Sequence, residues 1–294
     1  MANRLLIVDG HAYAYRAFHA IHDLRGPEGR PTNAIYGFVK MLEKMRAALK
    51  PDGLLVVWDG GLSAERMAAL PEYKAQRPEM PADLRPQFDE IESYLVAAGI
   101  TSYCGDGVEA DDHIANMARR AADASWDVVI ASSDKDFMQL VSARIGLLNP
   151  NDKTGIIWTQ AEVRAKAGVE PEQVADWLAL MGDAVDNIPG VPGVGPKTAA
   201  ELLKQFGSVT ALFGRLAEVK SAKLRAALES STAAVQRNLK LVRLPDGPCA
   251  FVPAELAVKP ADREQLRDLF RRWGFKGMIE ALDWQMSGQQ AELI

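Results

Sequence analysis

The chain has 294 residues, 48% hydrophobic and 25% charged, a composition that supports one large domain or two modest ones and excludes disordered, collagen-like and membrane-spanning classes. Lys and Arg number 34 against 39 Asp and Glu, a formal charge of -5, which taken alone argues against a partner as anionic as nucleic acid. Cys104 and Cys249 lie far apart with no CxxC spacing, so neither a disulfide framework nor a structural zinc site is expected, and a reducing compartment fits.

The N-terminus runs from Arg4 through Leu5, Leu6, Ile7 and Val8 to Asp9, too short an apolar run for a secretory signal. No segment reaches the roughly 18 apolar residues of a spanning helix. A cytoplasmic, nucleoid-associated chain with no membrane partner is the expectation. Apolar runs ending in an acid recur: residues 5–8 before Asp9, 54–58 before Asp59, and 128–131 before Ser132, Ser133 and Asp134. Such runs predict strands buried on both faces, and helical spacing over about 33–49, 84–98 and 109–124 predicts helices between them. The alternation implies an α/β fold with a mainly parallel central sheet flanked by helices, whose ligands bind beyond the carboxyl ends of the strands, where the acids fall. Residues 60–83, with Gly60, Gly61 and three prolines, are too long for a routine turn and read as a functional loop. Beyond Ile157 helices take over (about 160–167, 171–181, 197–206, 209–214, 218–229, 231–241 and 262–273) and strand signals vanish. This predicts an α/β core over 1–165, a helical region over 166–282 and a tail over 283–294.

Nine acids from five places are candidates for one site: Asp9, Asp59, Glu109, Asp111, Asp112, Asp134, Asp136, Asp183 and Asp186. Each has a plain structural alternative, since a strand-end Asp forms turns and caps and an acid in a helix's first turn complements its dipole. The functional reading rests on convergence at one sheet edge. Carboxylates crowded there raise one another's pKa values unless cations relieve them. An all-oxygen set suits Mg²⁺ or Mn²⁺ rather than zinc, and two such ions about 4 Å apart serve in-line displacement at phosphorus.

Residues 188–206 read IPGVPGVGPKTAAELLKQF. Gly193 and Gly195 flank Val194, Pro196 suits the first position of a helix, and Lys197 and Thr198 occupy its first turn. Backbone N–H groups at such a tip, beside a helix N-terminus, suit a phosphate: the helix-hairpin-helix pattern. From residue 187 to 244 nine basic residues face three acidic ones, a local balance of +6.

The stretches IVDGHAYAYRAFHA, NAIYGF, VVWDG, YKAQRPEMP, GVEADDHIA, SSDKDFMQLV, LALMGDAVDNIPGVPGVGPKTA and LFRRWGFKGM, in this order from residue 5 to about 280, resemble the 5′-nuclease (flap endonuclease-like) family. The likeness is greatest to the 5′→3′ exonuclease domain of bacterial DNA polymerase I. It implies a PIN-like nuclease core, a helical C-terminal region with a helix-hairpin-helix, and two-metal-ion hydrolysis of DNA and RNA-primer phosphodiesters in replication and repair. By the same resemblance Asp9, Asp59, Glu109 and Asp111 frame one metal site, and Asp112, Asp134, Asp136, Asp183 and Asp186 the second. Lys74 and Arg77 fall at the base of an arch over about 62–95, with Lys74 at the scissile phosphate. Arg16 and Arg66 match further phosphate contacts, Tyr73 a base-stacking position, and the main chain near Val191 and Val194 a K⁺ site. The implied partners are branched, flapped or nicked duplex DNA, RNA-primed DNA and a separate DNA polymerase, with the chain acting as a monomer. One departure stands after Asp59, where the family carries an aromatic before its Arg; here Gly60, Gly61, Leu62, Ser63, Ala64 and Glu65 lead to Arg66.

A non-catalytic DNA-binding protein would tolerate loss of these acids, and none is lost. PIN-type ribonucleases are usually shorter and lack the hairpin, and a phosphoaspartate phosphatase would want an Asp where His11 stands. Setting the nine acids aside leaves 30 acids against 34 bases, so the charge that argued against DNA belongs largely to the candidate metal site. The last five residues, Gln290, Ala291, Glu292, Leu293 and Ile294, resemble the peptide by which bacterial replication proteins bind the sliding clamp. Deleting them is expected to abolish stimulation of cleavage by the clamp, and equal stimulation with and without them would exclude the peptide.

Overall fold

The chain was analysed as a computed structural model that describes residues 2–291; the 290–294 peptide therefore runs outside the described residues. The first strand, β1 (Arg4–Asp9), leads directly into α1 (Gly10–Ala20), followed by α2 (Asn33–Leu49), β2 (Gly53–Trp58), α3 (Ala64–Ala69) and α4 (Arg85–Ala97). Then come β3 (Thr101–Cys104), α5 (Ala110–Asp123), β4 (Asp127–Ala131) and β5 (Ile145–Leu148). The five strands form one parallel sheet in the order β3-β2-β1-β4-β5. The order reverses beside β1, which places the usual ligand crevice of such sheets at the ends of β1 and β4.

Alternation along the central strand distributes the core. Leu5 and Ile7 face one layer, with Leu55, Val57, Val128 and Ile130, while Leu6 and Val8 face the other, with Leu54 and Val56. All six residues of β2 are buried, as a strand covered on both faces requires. Two strands escaped the sequence reading for physical reasons. Thr101–Cys104 is an edge strand with a half-polar surface, and Ile145–Leu148 is four residues long and contains a glycine.

The second half contains α6 (Gln160–Ala167), α7 (Val174–Met181), the two-residue strands β6 (Gly182–Asp183) and β7 (Ile188–Pro189), α8 (Pro196–Phe206), α9 (Val209–Gly214), α10 (Ala222–Ser230), α11 (Thr232–Val242), α12 (Arg263–Trp273) and α13 (Lys276–Ala291). Short 3₁₀ turns at Pro171–Gln173 and Leu216–Glu218 replace the outer ends of two expected helices. The β6–β7 pair corrects the expectation that strands stop before this region. Residues 283–291, expected as a tail, continue α13. Helix α12 also differs from expectation: Leu266, Leu269 and Phe270 pack in the layer of α2 and α4, so the chain returns to the α/β core after its helical excursion. No described helix is long and apolar enough to cross a membrane.

Buried amides fasten the excursion to the sheet. Asn238 on α11, fully buried, donates to Ala179 O at 3.1 Å and Pro189 O at 2.8 Å, joining α7, β7 and α11. Gln139 donates to Val242 O at 3.0 Å and accepts from Leu244 N at 3.0 Å. Asn238→Ala is expected to lower stability by about 2–3 kcal/mol, because the buried Ala179 carbonyl and the part-buried Pro189 carbonyl lose their donor. Urea unfolding checks this, and a loss of well under about 1 kcal/mol would show that other contacts hold β7 in place.

Candidate active site

Strand order delivers the acids to one place. Asp9 ends β1, Asp59 follows β2, and Ser132, Ser133 and Asp134 follow β4. With Asp111 from the first turn of α5, and Asp183 and Asp186 from the two sides of the β6–β7 turn, Asp9, Asp59, Ser133 and Asp134 line a cavity of about 660 Å³. Six of the nine candidate acids thus meet there.

Asp9 makes the cap expected of a strand-end Asp and also lines the cavity. Asp9 Oδ1 caps α1, accepting from Ala12 N at 3.0 Å, and Asp9 Oδ2 accepts from Ser132 Oγ at 2.7 Å. Burial pushes the Asp9 carboxyl up to about 6 despite these two bonds, with Asp134 and Asp59 adding repulsion. Asp134 caps the 3₁₀ helix Lys135–Leu140, its Oδ1 accepting from Asp136 N at 2.8 Å, while Ser132 Oγ accepts from Asp134 N at 3.1 Å. Burial, and then neighbouring carboxylates, raise Asp111 and Asp136 well above the usual range; burial likewise raises Asp134. Asp136 Oδ1 is buried without a hydrogen-bond partner. Among the described residues, no three His, Cys, Asp or Glu side chains converge into a closed ion site; the carboxylates ring the cavity instead.

Glu109 and Asp112 are different, because protein cations already satisfy them. Glu109, 1% exposed, receives the Lys74 ammonium, the Tyr73 hydroxyl at 3.1 Å, Arg66 at 3.1 Å and Ser63 N at 3.2 Å. Burial works to raise Glu109, but Lys74 and Arg66 outweigh it and hold the carboxyl below its usual range. Arg66 grips Asp112 through two bonds of 2.7 and 3.0 Å and donates from Nε to Leu241 O at 3.1 Å.

These contacts change several expected roles. Arg66, expected at a phosphate, is buried with its guanidinium committed to Glu109, Asp112 and α11. Tyr73 is 3% exposed and packed in the core, leaving no ring face for a base. Lys74 lines the cavity, but its ammonium is tied to Glu109. Arg77 reaches Asp186 Oδ1 at 2.8 Å and stays open to solvent, while Arg16 pairs with Asn151. Of the 62–95 stretch expected to form an arch, the end belongs to the core instead, through Ile91 and Leu95 of α4. The segment before α4 lies against the β6–β7 turn, with Lys74 N donating to Asp186 O at 3.0 Å and Asn187 Nδ2 to Glu72 O at 2.8 Å.

The Gly60-Gly61 departure has a structural cause. A Cβ on Gly60 would stand 1.9 Å from Gly105 O, and the two loops exchange bonds, Gly60 N to Val108 O at 3.1 Å and Gly107 N to Gly60 O at 3.0 Å. The loop leaving Asp59 is thereby fastened to the loop entering Glu109. Three contributors were missed in the sequence. His11 Nδ1 accepts from Asp59 N at 3.1 Å, and burial keeps this imidazole below its usual range. Its position, two residues after Asp9 in the first turn of α1, was the available signal. Ser132 and Lys135 stood inside the SSDKD string; Lys135 meets Asp183 Oδ1 at 2.8 Å.

At the hairpin, Gly193 has φ +81°, a conformation L side chains rarely adopt, and a Cβ on Gly193 or Gly195 would project into open space. Pro196 opens α8, with Lys197 exposed and Thr198 half-buried in its first turn, while Val191 and Val194 are buried beneath the tip. The N-terminus of α8 therefore faces outward, free to receive an anion.

Comparison with known proteins gives the family and the fold. The family model described as 5′-3′ exonuclease, N-terminal resolvase-like domain, matches residues 4–168, and that described as 5′-3′ exonuclease, C-terminal SAM fold, matches residues 169–264. A 5′-3′ exonuclease of Aquifex aeolicus is 37% identical over 281 residues, covering 95% of both chains. DNA polymerase I of Bacillus caldotenax is 37% identical over 299 residues, covering 100% of this chain and 34% of that protein. The chain thus spans about a third of the length of the DNA polymerase I relatives it matches. Among solved structures, T5 5′-exonuclease with bound zinc ions superposes with a TM-score of 0.70 at 28% identity, over 83% of this chain and 90% of that one. The catalytic core of Rad2 in complex with DNA substrate shares the fold, with a TM-score of 0.65 at 16% identity over 92% and 88% of the two chains.

The raised acids fix the sign of a pH effect. Asp9 moves from 3.8 to about 6 on folding, so folding takes up a proton between those values and the ion-free fold loses stability as pH rises through that window. Asp111, Asp134 and Asp136 act in the same direction, whereas Glu109 and the lowered imidazoles of His11 and His113 oppose them. The melting temperature in EDTA is expected to be higher at about pH 5 than at about pH 7.5, and millimolar Mg²⁺ should raise it most at the higher pH. A melting temperature in EDTA that is flat or rises between those pH values would contradict the crowded-carboxylate account.

Proposed function

The chain belongs to the 5′-3′ exonuclease family, and from that membership we propose that it is a divalent-metal-dependent 5′→3′ exonuclease and 5′-flap endonuclease, acting on flapped, nicked or RNA-primed DNA. The observation that carries this reading is the cavity at the sheet edge, where six carboxylates from separate elements surround about 660 Å³. The donor set fits Mg²⁺ or Mn²⁺: it is all oxygen, several members are raised by crowding, and Asp136 Oδ1 has no partner inside the protein. Asp9, Asp59 and Asp111 would hold one ion and Asp134, Asp136, Asp183 and Asp186 the other. Glu109 and Asp112 would stand behind them, fixing Lys74 and Arg66. Bound ions supply activation of water and stabilisation of the leaving oxygen in an in-line displacement.

The protein's own groups do the rest. His11 and Ser132 orient Asp59 and Asp9 through the bonds described above. Arg77, exposed beside Asp186, would meet the charge that develops on the phosphoryl oxygens. The hairpin at 190–198 would hold the duplex backbone, with K⁺ on the carbonyls of Val191 and Val194 joining protein to phosphate. A separate DNA polymerase and a sliding clamp are the proposed protein partners of a monomeric chain.

A 5′-flap duplex labelled on the flap strand tests the reading. The unaltered chain should release the flap in Mg²⁺ and not in EDTA, and Asp136→Ala should reduce turnover by at least about 10³-fold while binding the same DNA. DNA binding by the unaltered chain with no metal-dependent cleavage would replace the enzyme with a binding module.

A further inference from the structure

Lys135 opens the 3₁₀ helix after β4, between two acids of the site, on backbone fixed by the Asp134 cap and by Ser132. Its ammonium crosses to Asp183 Oδ1 at 2.8 Å and lines the cavity. Asp183 does not need the lysine for its orientation, because the same oxygen accepts from Val185 N at 3.0 Å. Accessibility separates the cations of the site. The Lys74 side chain is 2% exposed and bound to Glu109, whereas Lys135 is 34% and Arg77 41% exposed. Asp183 and Asp186, at the two sides of one tight turn, therefore each present an accessible cation to the cavity.

We propose that Lys135 is a phosphate-contacting residue, which together with Arg77 grips the non-bridging oxygens of the DNA backbone across the β6–β7 turn. The proposal rests on the nuclease reading of the same cavity and adds the accessible lysine of the site to the groups that would meet substrate. An ammonium carries three donors. One bond to Asp183 leaves two for phosphate oxygens, and a compact point charge suits a backbone contact that reads no sequence.

A phosphate contact leaves a signature that a purely structural lysine does not: each neutralised phosphate adds about 0.9 to the slope of log K against log salt on duplex DNA. Binding of a fluorescein-labelled 5′-flap duplex by the full chain in EDTA, followed by anisotropy between about 50 and 200 mM salt, reads that slope. Lys135→Ala and Lys135→Gln should lower it by about one, and Lys135→Arg should keep it. Turnover in Mg²⁺ should fall about 10²-fold in the first two variants, with melting temperatures unchanged. An unaltered slope in a folded Lys135→Ala or Lys135→Gln chain would overturn the proposal, reducing the lysine to a counter-ion of Asp183. Failure of the unaltered chain to bind the flap duplex would instead remove the nuclease reading beneath it, a result visible before any variant is compared.

Discussion

A carboxylate taken from water and set beside others loses free energy twice, once to desolvation and once to repulsion. The region around the sheet edge meets that cost in two different ways. Glu109 and Asp112 are neutralised from within by Lys74 and Arg66, in pairs too buried to exchange readily with solvent ions. Asp9, Asp111, Asp134 and Asp136 are left under-compensated, with Asp9 and Asp134 held in position by hydrogen bonds that fix geometry without cancelling charge. On the proposed reading the first group would be scaffold and the second receptor, its mutual repulsion favouring multiply charged cations.

The scaffold group also connects distant parts of the chain. Arg66 touches α5 through Asp112 and α11 through Leu241 O, and α11 in turn holds β7 and α7 through Asn238. The same helix therefore braces both the turn carrying Lys74 and the strand leading to the hairpin. A buried ion pair of this kind is seldom a large net source of stability, since desolvation offsets much of the attraction. Its contribution here is positional: with Arg66 engaged, the segment before α4 has one place to rest.

Much of this was legible in the residues because physical signals coincided. Continuous apolar runs gave β1, β2 and β4, and acids at their ends gave the cavity, because a parallel sheet leaves little choice about where strand ends meet. The edge strands Thr101–Cys104 and Ile145–Leu148 were hidden, one by polarity and the other by length. Arg66 and Tyr73 were misread because sequence conveys residue type and spacing, whereas burial decides whether a guanidinium faces substrate or a neighbouring carboxylate. The same limit applied to Lys135, visible between two aspartates but without a sign of which way it reached. The glycines after Asp59 stood out only as a departure from the family pattern; the reason for one of them, Gly60 seated on Gly105, is a tertiary contact that sequence does not convey.

The smallest sheet in the molecule carries a metrical consequence. Strands β6 and β7 pair only Gly182 with Pro189 and Asp183 with Ile188. Yet one end of this ladder bears an acid of the cavity, and the other runs directly into the loop that presents α8. The separation between where a duplex would be held and where a bond would be cut is thus written in a few residues of backbone, not left to the drift of two bodies. A one-residue slip in that pairing would therefore move the hairpin tip relative to the cavity, with the rest of the fold unchanged.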